Sequence, residues 1–201
     1  MPPPVWHNRT VIPMNKTLTF CLSLVATAAM SVPCFAQQPP ANPLSAGEKM
    51  LYSMIVGNVV AGAQKMPEEN YSFKPVPEVR SFGQLIGHIA DANSHFCATV
   101  LGEAPAATSA EKTKTTKADL VQALQDAVAY CNKAYDGMTD AKAAEIVKFF
   151  GRDAAKLTVL SLNTAHTDEH YGNMVTYLRL KGIVPPSSER RAPGPAAEQK
   201  K

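Results

Sequence analysis

At 201 residues the chain is long enough for one domain with a real core. Twenty Lys and Arg stand against 17 Asp and Glu, and so even a balance leaves no electrostatic footprint for nucleic acid. Two of the cations, Arg9 and Lys16, fall in a leader-like N-terminus, which brings the remainder closer still to neutral.

Residues 1–36 read as an upstream extension followed by a secretory signal. From Met14, the better start, come Lys16, an apolar run from Leu18 to Met30, then Cys34 and Ala36 as small residues at −3 and −1 of a cleavage site. The run is shorter than the roughly 20 apolar residues that span a bilayer, so a cleaved signal is preferred over a membrane anchor. Ser31 stands where a lipoprotein signal wants a leucine-like residue, which argues against Cys34 as a lipid anchor. Cleavage after Ala36 gives a periplasmic or secreted protein with no membrane span in the mature chain. It leaves two cysteines, Cys97 and Cys131, which either pair in an oxidising compartment or serve as two small buried residues.

Residues 37–43 are a Pro-rich lead. A first helix is predicted from a capping box, Ser45 with Glu48, to about Lys65, with Leu51, Met54, Ile55, Val59 and Ala63 as its buried stripe. Pro75 and Pro77 keep the next stretch out of helix. A second helix opens on the Ser81–Gln84 capping box and runs to about Leu101, with Gly102 as its stop and Leu85, Ile89, Ala92 and Phe96 on one face. Glu103 to Thr115 reads as a polar connection and Lys112 to Lys117 as a solvated cluster. A third helix starts near Thr116, with Asp119 in its first turn and Leu120, Leu124, Ala127, Val128 and Cys131 inward. A short helix is predicted around Ala141 to Phe149, and no strand pattern is evident. The fourth helix spans about Ala154 to Lys181, capped by Gly182 ahead of Pro185-Pro186. Residues 187–201 read as a disordered tail. Four amphipathic helices make an all-α four-helix bundle over residues 44–186.

The chemistry lies in the histidines. His7 falls in the leader, and the other four lie on helices two and four. His166 and His170, four apart, occupy one helix face and can reach one ion at about 2.0–2.1 Å. His88, beside the apolar stripe of helix two, is the best third ligand. His95 returns to nearly the same face but stands about 10.5 Å along the axis, so it is placed at the rim or among the groups that support the ligands. Asp91, Glu169 and Asn173 are candidates for orienting the imidazoles. A single inward histidine is more often a hydrogen-bonded core residue. Three on two helices favour metal, because unpartnered buried imidazoles are costly.

Three stretches, Tyr71-Ser-Phe-Lys-Pro, PEVRSFGQLIGHIADAN and HTDEHYGNMVTYLRLKGIVPP, resemble the DinB-like superfamily of metal-binding bundles. The resemblance covers roughly Leu44 to Pro186. It implies an up-down-down-up topology with a long crossover, a divalent ion (zinc or nickel) on His88, His166 and His170 with positions open to water, and pairing as a homodimer. It also implies thiol-dependent transferase or isomerase chemistry, although relatives' cytosolic thiols do not transfer to an exported chain. An open three-histidine ion fits a metal-dependent transferase or hydrolase acting on a small molecule through a bound water or thiol. The alternative is a non-catalytic metal-binding or stress-related bundle. An open pocket lined by Phe96, Tyr177 and His95 would favour the enzyme.

Two further patterns are weaker. His166-Thr-Asp-Glu169-His170 matches an inverted zinc-peptidase motif. Such enzymes need a further carboxylate ligand well downstream, however, where only 31 residues follow His170, many of them in the tail, and Glu169 points about 60° off the histidine face. Gly172 within a helix costs about 1 kcal/mol against alanine, which suggests close packing there.

Overall fold

The computed structural model describes residues 41–189. The expected signal (1–36), the lead up to residue 40 and the tail from 190 lie outside the described residues. The elements are α1 (Pro43–Lys65), a 3-10 turn (Glu68–Asn70), α2 (Phe82–Leu101), α3 (Ala110–Thr113), α4 (Lys117–Asp136), α5 (Asp140–Ala143), β1 (Ile146–Phe149), β2 (Arg152–Ala155), α6 (Lys156–Leu180) and a final 3-10 turn (Pro186–Ser188). None of these helices is long and apolar enough to cross a membrane.

Local signals set most helix ends. Ser81 accepts from the Gln84 N–H at 3.2 Å while the Gln84 side chain accepts from the Ser81 N–H at 2.9 Å, closing the predicted box. Thr116 caps α4 by accepting from the Asp119 N–H. Gly102 and Gly182, at φ 75° and 73°, stop α2 and α6 in the left-handed conformation that glycine adopts without strain.

The start of α1 departs from its predicted box. Pro43 begins the helix, where its missing N–H costs nothing. The free donors are capped from far away in sequence: Asp140 accepts from the N–H groups of Leu44 and Ser45 and from the Ser45 hydroxyl. These bonds, led by that from the Ser45 N–H, hold the Asp140 carboxyl below the usual range. Glu48 accepts instead from Ser161 and Thr164 on α6. The buried face of α1 is Tyr52, Val56, Val59 and Ala63, with Leu51 and Met54 about half exposed.

The chain between 140 and 155 also departs from the helix expected around Ala141 to Phe149. Only one turn, α5, is helical, and the rest forms an antiparallel hairpin pairing Ile146 with Ala155 and Phe149 with Arg152. Four-residue strands are too short to display a period of two. Phe150 and Gly151, at φ 47° and 76°, make the tight turn, and Lys156 closes the base on Glu145 through both backbone (2.9 Å) and side chain (2.7 Å).

Contacts along the helices give the directions. Glu48 near the start of α1 meets Ser161 near the start of α6, and Gly62 meets Met174 and Leu178, so these two run parallel. Down α2, Phe82, His88 and Asn93 meet Tyr177, His170 and Thr167 in turn, so α2 opposes α6. Gly83 against Leu120 and Cys97 against Cys131 make α2 and α4 parallel. The topology is up-down-down-up, with residues 102–116 as the crossover. Within that crossover lies α3, where a solvated loop was expected. Ser187 and Glu189 are also packed beyond the expected edge of the domain, on Tyr171 and Lys65.

The core falls into two apolar clusters. One gathers Phe82, Ile86, Leu120, Leu124, Met174 and Leu178; the other gathers Tyr52, Phe96, Tyr135, Val159 and Leu160, with a Cys97–Cys131 disulfide whose Cα atoms are 5.2 Å apart. Between them runs a buried polar layer. Asn93 Oδ1 accepts from the Tyr52 hydroxyl at 2.9 Å and the Asn163 amide at 3.1 Å, and the Asn93 amide donates to Ile89 O and Thr167. Asn163 also donates to Tyr135, whose hydroxyl donates to Leu160 O.

Candidate metal centre

The α2–α6 pairing brings His88, His166 and His170 into one cluster, with their ligating nitrogens all within 4.8 Å of one another. His166 and His170 share a face because four residues make about one turn. His88 meets them because α2 runs antiparallel to α6 at this level. The Nε2 atom of His166 lies 3.3 Å from Nε2 of His88 and 3.1 Å from Nε2 of His170. With metal–nitrogen bonds of about 2.0–2.1 Å, ligands at 90° stand about 2.9 Å apart and tetrahedral ligands about 3.3 Å apart. The two short edges therefore suit a single ion.

The far sides of the rings are held unequally. Glu111 Oε2 lies 3.2 Å from Nδ1 of His88. An ionised carboxylate only accepts, so the proton sits on Nδ1 and Nε2 turns its lone pair to the cluster. Nδ1 of His170 lies 3.2 Å from Nδ2 of Asn173; turning the amide over would bring Oδ1 there to accept the ring N–H. Nδ1 of His166 is buried with no partner among the described residues.

Burial, then the neighbouring rings of His166 and His88 and the charge of Arg80, push His170 down from 6.5 to about 4. Burial and His88 also lower His166, against an opposing pull from Glu169. Both rings are thus neutral bases near pH 7, the form that binds metal.

The other expected residues fall elsewhere. His95 leaves the cluster and lies against the hairpin, its ring 5.9 Å from that of Phe150. Glu169 is exposed and holds no ring. Asp91 touches no histidine; it accepts from the Ser109 hydroxyl (2.6 Å) and the N–H groups of Ala110 and Glu111, and so caps α3. Asp91 serves the site indirectly, by holding the helix that carries Glu111.

Glu111 is the site residue that the sequence reading missed. Its only local signal is Ser109, a helix cap three residues before Lys112. Close packing belongs to Gly87, not to Gly172, around which nothing lies within 4 Å of an added Cβ. A Cβ at Gly87 would stand 2.6 Å from Glu111 Cα and 2.7 Å from its nitrogen, so only glycine lets α3 rest on α2. Gly87→Ala should lift α3 away, part Glu111 from His88 and cost about 1–3 kcal/mol, read as a lowered urea midpoint.

Of the three rings, that of His170 lines a cleft of 680 Å³, together with Arg80, Glu111, Asn173 and Tyr177. Tyr177 was expected there. Phe96 and His95 are not part of it: Phe96 is buried between His166 and Phe149, backing the site with its ring 5.6 Å from His166.

The family model of the DinB superfamily matches residues 57–174. The uncharacterized protein YjoA of Bacillus subtilis (strain 168) is 29% identical over 124 residues, which are 60% of this chain and 79% of that protein. Among solved structures, a DinB-like protein from Bacillus cereus ATCC 10987 superposes with a TM-score of 0.63 at 18% identity, covering 70% of this chain and 95% of the other. A conserved protein from Enterococcus faecalis superposes at 0.56 with 14% identity, covering 68% and 95%. At these identities the two structures speak to the fold alone.

Proposed function

The chain belongs to the DinB superfamily, and from that premise we propose that it is an exported metalloprotein acting as a metal-dependent transferase or hydrolase on a small molecule, with one divalent ion, zinc or nickel, on His88, His166 and His170. The observation that carries this reading is the convergence of three ring nitrogens, with Glu111 fixing the tautomer of His88. Three neutral imidazoles are a sound donor set for such an ion. When bound, the ion supplies a Lewis acid able to bring water toward a pKa of about 7 or to hold a thiolate.

The protein's own part is orientation. Glu111 and Asn173 aim two of the imidazoles, Phe96 backs His166 with apolar surface, and the cleft admits a small molecule to one side of the cluster. That open cleft favours the enzyme reading over a closed binding site. Export is supported by the signal-like leader and by the Cys97–Cys131 disulfide, which suits an oxidising compartment. Homodimer formation belongs to the same proposal, supported by the exposed α1 stripe of Met50, Leu51 and Met54.

The test is the metal content of the purified protein from residue 37 onward. The parent should carry about one divalent ion per chain after incubation with zinc or nickel, and His88→Ala and His166→Ala should each lose it, since three ligands are the minimum such a site uses. A parent that takes up no ion, or variants that keep it, would sink the metal reading and the enzyme with it.

A further inference from the structure

Arg80 is held in the cleft in an unusual way. Its Nε donates to Glu111 Oε1 at 2.8 Å, and the other oxygen of the same carboxylate faces His88. Its backbone oxygen accepts from the Tyr177 hydroxyl at 2.6 Å. Glu111 therefore ties the guanidinium and a candidate metal ligand to one rigid point. The tie uses only Nε. Nη1 and Nη2 make no bond among the described residues, and the side chain is 43% exposed, on the cleft.

An arginine fixed at Nε and free at both Nη atoms presents a planar pair of donors with the spacing of a carboxylate or phosphate edge. The surroundings agree. Lys74 lines the same cleft, and Gln84, Asn173 and Thr176 add neutral polar groups. The two acids there, Glu78 and Glu111, balance the two cations, so a divalent ion on the histidines would make the cleft net positive. A low-dielectric cleft of one sign concentrates ligands of the other.

We propose that this cleft is an oxyanion subsite: Arg80 grips a carboxylate or phosphate of the small molecule whose reacting end lies at the three histidines. The second half of that statement rests on the metal reading; the anion contact itself needs no ion.

The experiment compares three hydroxamates on the zinc-loaded protein, each with the same metal-binding head. Acetohydroxamate carries no anion, succinic monohydroxamate adds a carboxylate, and phosphonoacetohydroxamate adds a phosphonate. Zinc content is measured alongside. At least one anionic compound should bind tenfold or more tightly than acetohydroxamate, and which one does so separates carboxylate from phosphate as the natural group. Arg80→Gln should remove that preference, so that the zinc-loaded variant binds the anionic compounds no more tightly than it binds acetohydroxamate. Arg80→Lys, which keeps the charge but loses the fork, should retain zinc and show a reduced preference. Equal affinity for all three compounds in zinc-loaded parent overturns the proposal. If the parent takes up no zinc, the function proposed above fails, and the subsite is read on succinate and inorganic phosphate. Thermal protection of the parent but not of Arg80→Gln supports the subsite, and protection of neither overturns it.

Discussion

Removing the Cys97–Cys131 link, as the double alanine variant, is expected to cost about 4 kcal/mol of stability. The two residues are 34 apart in sequence, and closing a loop of that length in the unfolded chain accounts for about 4 kcal/mol in the chain-entropy description. Both cysteines are fully buried, and the Asn163 amide lies 3.7–3.9 Å from their sulfurs, so the native state gains little that would offset the loss. Urea unfolding of the oxidised parent beside the double variant measures it. Coincident midpoints would mean that α2 and α4 are held at this level by packing alone.

Mild acid is expected to destabilise the metal-free protein through its histidines. The ordinary histidine pKa of 6.5 applies to the unfolded chain, while His170 in the bundle titrates near 4 and His166 is shifted in the same direction. Between those values the unfolded chain takes up protons that the folded one refuses, so stability falls as pH drops. The contribution is complete above pH 6.5 and lost toward pH 4, amounting for His170 to about 3 kcal/mol at about 1.36 kcal/mol per unit. Asp140 and Glu145 are held below their ordinary values of 3.8 and 4.5, so their losses begin only near those values. The window from pH 6.5 to 5 therefore reports on the imidazoles. Urea midpoints taken with a chelator at pH 7, 6 and 5 should decline in the parent and stay flatter in His170→Gln. Equal slopes would place the acid sensitivity elsewhere. The ion needs the same neutral rings, so zinc affinity should weaken over the same range.

Much of the site could be read from local pattern. The spacing of His166 and His170, the caps at Ser81 and Thr116 and the stops at Gly102 and Gly182 each depend on residues within four or five of one another, and all are present. What escaped depends on contacts between distant parts of the chain. Asp140 caps α1 across 95 residues, which frees Ser45 and Glu48 from the box they resemble. Because α1 carries apolar residues around most of its surface, its pattern could not choose Tyr52 and Val56 over Leu51 and Met54. Glu111 sits in a polar stretch that only the absence of a side chain at Gly87, 24 positions earlier, allows onto the bundle. The hairpin was hidden by its brevity.

The polar layer between the two apolar clusters has a bearing on how the three rings come to be level. Apolar helix faces slide past one another with little preference for one height. Asn93 and Asn163 do not tolerate this: a slip of one turn, about 5.4 Å, would strand the Asn93 amide, the Tyr52 hydroxyl and Thr167 in the interior, at about 1–3 kcal/mol for each unpaired group. Thr167 adjoins His166 in sequence, and Asn93 lies little more than a turn beyond His88. The layer thus acts as a vernier. It sets the axial height of α2 against α6 for the whole bundle, and the imidazoles inherit their alignment from side chains that never meet a ligand. Substitutions in the apolar clusters can loosen the protein and leave that alignment intact, whereas a leucine at Asn93 would free the helices to shift and spread the donors even in a well-packed bundle.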